Sequence, residues 1–176
     1  FFEYIQKSEY ITKVAQSLDD FIPKNYLSDY PFYTDNDRIF RYIRDQILKK
    51  NEYTKLMDLM LNDYKVDLKL LRKKLWMSEE NIKQLHDKGH VIGIHSHTHP
   101  TAMESLDIKK QMIEYRTNKR IISEIVGDDP VVMSHPCNSY DDNTIKLLKE
   151  LNIKLGFRSN MKGILNSNYE FPREDH

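Results

Sequence analysis

The sequence has no glycine before Gly89, only one cysteine, and no run of eighteen apolar residues anywhere in its 176 positions. Each absence excludes something. Without such a run, no membrane-spanning helix is expected. With Cys137 alone, no internal disulfide can form, and the cysteine says little about compartment. Charge of neither sign dominates: 27 Lys and Arg stand against 27 Asp and Glu. A dedicated nucleic-acid binder would carry a basic excess, so no nucleic-acid partner is expected. The opening FFEYIQKSEYITK lacks the basic, apolar, small-residue order of a secretory signal, and it lacks Met. A cytoplasmic location is the expectation if that start is native. Oligomeric state is not legible. What is present is 39% hydrophobic residues with eleven tyrosines, which points to a folded globular chain.

The rhythm of the chain changes near residue 76. Upstream, DNDRIFRYIRDQILKK places Ile39, Tyr42, Ile43, Ile47 and Leu48 on one helical stripe, with Asp35 or Asn36 as N-cap. EYTKLMDLMLNDY repeats the pattern with Leu56, Leu59, Met60 and Tyr64. Residues 1–75 therefore read as a helical region. Downstream, 76–176 alternates short apolar strands with capped helices. MSEENIKQLHDKG is a helix capped by Ser78 and stopped at Gly89, HVIGI a buried strand, and SLDIKKQMIEYRTNKRIISEIVG a helix ending at Gly127. PVVMSH, SYDDNTIKLLKELN, IKLGFRS and YEFPRED continue as strand, capped helix, strand and short strand. Strand–helix alternation implies parallel strands in an α/β sheet or barrel.

Four of the seven histidines fall in HVIGIHSHTH, followed by Pro100. His95 and His99 are four apart, but Pro100 biases His99 away from the α region, so a one-face helical pair is excluded. The strand ends at His95, the chain turns through Ser96 to Thr98, and a helix can start near Pro100. A turn at the carboxyl end of a parallel strand is where α/β folds build their sites. Two imidazoles there suit a divalent metal, most naturally Zn²⁺, which also takes carboxylates. His97 points away from its neighbours and is supporting or exposed; His86 and His90 are structural or surface. A cupin pattern (His97, His99, Glu104) demands an all-β fold, and an amidohydrolase needs more late ligands than His135 and Asp175.

The stretch GHVIGIHSHTHPTAMESL resembles the polysaccharide deacetylases of carbohydrate esterase family 4, the NodB homology domain. Gly89, His90, Ile92, Gly93, His95, Ser96, Thr98, His99 and Pro100 match that family's histidine motif. The later SHPCNSYDDNTIKLLKELNIKLGF and FPRED follow the family's order, and YTDNDRIFRYI resembles a helical insertion found in one branch. The resemblance implies an α/β fold, a partial or distorted (β/α) barrel, with 1–75 as the helical insertion and 76–176 as the core. It implies that His95 and His99 ligate the metal, that Ser96 and Thr98 (with His97) support the loop, and that the Cys137 backbone N–H is the oxyanion donor. Arg173 and Asp175 match a charged motif behind the catalytic base, and His135, Pro136 and Asn138 line the substrate.

The chain also departs from that pattern. An Asp-Asp pair after a first strand, source of the base and third metal ligand, has only SLDDF (Asp19, Asp20) as a counterpart, and this follows a helical pattern. The final Leu-x-His motif is missing. The activity implied is metal-dependent removal of N-acetyl groups from an amino-sugar-containing glycan, with that glycan as partner. The other reading is a catalytically incomplete relative that binds glycan or protein, with Tyr26, Tyr30, Tyr33 and Tyr42 as its surface.

Overall fold

The computed structural model describes residues 1–161 and 167–173. The chain divides into two compact units, Phe1–Lys74 and Leu75–His176.

The first unit is helical: α1 (Phe2–Gln6), α2 (Ile11–Leu18), α3 (Asp35–Tyr42), α4 (Lys50–Asp63) and most of α5 (Leu68–Leu75). Its core is Ile5, Val14, Ile43, Ile47, Leu48 and Leu56, with Ile39, Tyr42 and Tyr53 packed on it. The first predicted stripe thus faces inward. Its cap is Thr34, one residue before the positions expected. The Thr34 hydroxyl accepts the Asp37 N–H at 3.2 Å, and Asp37 returns the bond by accepting the Thr34 N–H at 3.0 Å. The second stripe is only partly inward: Leu56 is buried, whereas Leu59 and Tyr64 are exposed. α1 packs on α4, and with five residues it is too short to cover the whole stripe. Arg38 is buried, and its guanidinium donates to the carbonyls of Tyr26, Tyr30 and Tyr33, tying the preceding loop to α3.

The second unit carries α6 (Glu79–Asp87), α7 (Ile108–Val126), β1 (Val132–Ser134), α8 (Asp142–Glu150) and β2 (Leu155–Phe157). β1 and β2 pair in parallel around α8, with Ser134 opposite Phe157. Isolated parallel bridges extend the sheet on both sides, Ile94 to Met133 and Phe157 to Phe171. Among the described residues, the expected HVIGI and YEFPRED strands thus meet the sheet through single bridges at Ile94 and Phe171. The α/β pattern is present, and among the described residues the sheet is two strands with a bridged segment at each edge. Ile94 and Met133 face a core completed by Met103, Tyr115, Leu148 and Ile153. Ser78 caps α6 and Gly127 ends α7 in the left-handed region, where the sequence places them, and the cap expected on α8 is Asp141. Pro100 does not start a helix. A 3-10 turn at Met103–Ser105 comes first, and Asp107 caps α7 seven residues on.

Candidate active site

The segment ending at His95 and strand β1 run side by side, so their carboxyl ends deliver His95, Ser134 and His135 to one edge of the sheet. The His95 and His99 rings come together there, with centroids 4.9 Å apart and planes at 61°. His95 is half-buried and His99 exposed. The Nδ1 of His95 lies 2.8 Å from the Ser134 carbonyl. A carbonyl only accepts, so Nδ1 carries the ring proton and Nε2 the lone pair. That is the tautomer in which metal-bound imidazoles are held by a backbone partner.

The donor chemistry fits a zinc-type ion, which accepts imidazole nitrogen readily. Among the described residues no group of three His, Cys, Asp or Glu side chains converges. The two imidazoles would supply two of the ligands such an ion needs.

The loop between them is held by polar bonds. Ser96 is buried and its hydroxyl accepts the His99 N–H at 3.2 Å. His97 and Thr98 donate their backbone N–H groups to Glu114 Oε2 at 2.9 and 2.7 Å, and the Thr98 hydroxyl donates to Oε1 at 2.6 Å. Partial burial of Glu114 opposes its charge, but the Thr98 and His97 bonds outweigh it and hold the carboxyl below its ordinary pKa. Asn118, one turn further along α7, accepts the His95 N–H at 2.8 Å. The sequence reading overlooked Glu114 and Asn118. The available signal was two polar residues, four apart, flanking the core position Tyr115 on α7.

His135 and Pro136 are fully buried. The resemblance implies a lining role for them; both side chains are enclosed by protein here. His135 donates Nε2–H to the Tyr169 carbonyl at 2.8 Å and stacks on Tyr140 at 4.0 Å. Burial pushes its pKa down to about 4, with His95 and Arg158 adding in the same direction. Cys137 is exposed at φ 49°, followed by Asn138 at φ 57°, so a tight left-handed turn presents this backbone. The Asn138 side chain accepts the Ser159 N–H at 3.3 Å. Arg173 Nη1 donates to the Ser134 hydroxyl at 3.1 Å. With His95, Gly93, Val132 and Phe157, these two line a cleft of about 350 Å³. Asp175 lies outside the described residues. Asp19 and Asp20 are exposed at the end of α2 in the helical unit, and a helix, not a strand, precedes them.

These features define a histidine-paired site at the carboxyl edge of a small parallel sheet. The family model for polysaccharide deacetylase matches residues 43–156, about two thirds of the chain, and reaches upstream of 76 into the helical unit. The chain belongs to the polysaccharide deacetylase family. Among solved structures it is similar to the Streptococcus pyogenes deacetylase PplD in complex with acetate, with 20% identity over 55% of this chain and 43% of that one, at a TM-score of 0.49. No curated protein matches the chain. No helix among the described residues is long and apolar enough to cross a membrane.

Proposed function

We propose that the chain contributes to a metal-dependent hydrolase that removes N-acetyl groups from an amino-sugar-containing glycan. Family membership supports the hydrolase class. The observation that carries metal dependence is the His95–His99 pair, with His95 set in the metal-binding tautomer by Ser134.

His95 and His99 would hold the ion. A divalent zinc-type ion supplies a bound water of lowered pKa and a Lewis acid for the acetamide carbonyl. Around it, the chain's own groups orient and bind. The Cys137 backbone N–H, turned by its left-handed conformation, is the candidate donor to the developing oxyanion. Arg173 and Ser134 fix the cleft wall beside His95. Asp175 is the candidate supporting carboxylate.

The test measures zinc content and acetate release from an N-acetylglucosamine oligomer for the chain and for His95→Ala. Zinc uptake and acetate release, both lost in the variant, are the expected result. Absence of zinc from the unaltered chain overturns the metal reading.

A second reading is a relative that binds glycan or protein without turnover, and an exposed aromatic cluster in the helical unit supports it. The exposed Phe32, clustered with Tyr30 and Tyr33 at 5.9 and 4.6 Å between ring centroids, is a surface that could serve it. Oligomer binding without acetate release, lost in Phe32→Ala, distinguishes that reading.

A further inference from the structure

We propose that Glu114 and Asn118 are positioning residues that pre-form the His95–His99 pair by clamping the backbone between the two rings. The inference rests on the metal reading above, which it deepens.

The loop needs an external anchor. Ser96 and His99 have φ of 70° and 54°, a region that costs a residue with a side chain about a kcal/mol or more. His97, Thr98 and His99 are exposed, so apolar packing cannot hold this conformation. What holds it is one face of α7. Glu114 takes three donors from His97 and Thr98, and Asn118 takes the His95 N–H. The two residues are four apart, so one helix face spans the loop from the first histidine almost to the second. That helix is itself fixed. Tyr115 is completely buried, and buried Gln111 bonds to the Leu106 carbonyl at 3.0 Å and accepts the Thr144 hydroxyl at 2.7 Å. A rigid element thus sets the backbone that carries the two rings, as pre-organised sites require.

The loss expected from removing such an outer support is about 10- to 100-fold in metal affinity. The experiment titrates zinc against a chromophoric chelator for the unaltered chain and for Glu114→Ala, Glu114→Gln, Asn118→Ala and Asn118→Asp. Tyr169→Phe, which removes the hydroxyl bond to the Ile153 carbonyl in the same unit without touching the loop or α7, is the matched control. Amide exchange at His97 and Thr98 is followed in the metal-free proteins. Weaker zinc binding in both alanine variants, partial rescue by Gln and Asp (which keep an acceptor oxygen), faster exchange at the two amides in Glu114→Ala, and unchanged affinity in Tyr169→Phe support the clamp. Unchanged zinc affinity and amide protection in Glu114→Ala overturn it, as does an equal affinity loss in Tyr169→Phe. If the unaltered chain takes up no zinc, the metal reading fails separately. The exchange data then decide the clamp: faster exchange at His97 and Thr98 in Glu114→Ala upholds it, and unchanged exchange overturns it.

Discussion

The His95 ring is set by the backbone of Ser134, whose carbonyl lies 2.8 Å from Nδ1. A residue at the end of one sheet segment is thereby oriented by its neighbouring strand, 39 positions later in sequence. The metal-free protein is expected to hold His95 as the Nδ1–H tautomer. Long-range ¹H–¹⁵N correlation spectra of the imidazoles check this. A protonated Nε2 with a bare Nδ1 would contradict the orientation described.

Buried His135 makes stability depend on pH in a definite direction. Its folded pKa, about 4, lies below the unfolded value of 6.5, so the unfolded chain binds the extra proton between them. The contribution of neutral His135 is complete above pH 6.5 and is lost as pH falls toward 4, by roughly 3 kcal/mol over the window. The carboxylates with lowered pKa, such as Glu114 and Asp141, act mainly below about pH 4.5. Urea unfolding at pH 7, 6 and 5 should show the decline, and His135→Phe should flatten it. Equal stability of the unaltered chain at pH 7 and 5 would sink the assignment.

Gly156 sits in β2 against the backbone of the next segment. A Cβ there would lie 2.5 Å from the Tyr169 carbonyl oxygen, and backbone cannot move aside as a flexible side chain could. Gly156→Ala is expected to destabilise the second unit by about 1–3 kcal/mol, read as a lower urea midpoint at unchanged slope. A midpoint equal to that of the unaltered chain refutes the close approach.

In the helical unit, Arg38→Met removes the donor to three carbonyls while keeping most of the aliphatic stem. The expected cost is about 3 kcal/mol, with amide exchange accelerated from Tyr26 through Tyr33. Hydrogen exchange mapped along that loop tests it. Acceleration spread evenly over the unit, without emphasis on the loop, would count against the tie.

Local chemistry made several elements readable. Ser78, Gly89, Gly127 and Asp141 mark helix ends through side-chain oxygens and left-handed backbone, which act within a few residues. The inward placement of Ile39, Tyr42 and Ile43 follows the helical period, whereas Ile47 and Leu48 reach the same core through a π-helical turn over Ile43–Ile47 and an extended Leu48. Leu59 and Tyr64 did not follow it, because the partner helix α1 is short, and no local pattern carries the length of a partner. The same holds for Arg38, whose polarity suggests a surface position and whose three acceptors exist only after the chain folds back.

The sequence by itself determined the family motif, the alternation of strands and helices, and the pair His95 and His99, because spacing, caps and proline act over short stretches. Tertiary structure decided which groups support that pair. Ser134, Glu114 and Asn118 lie 16 to 39 residues away from the residues they bond, and His135 is enclosed by segments distant in sequence. Such hydrogen bonds and burial depend on which segments the parallel sheet and α7 bring within 3 Å, a distance no one-dimensional pattern encodes.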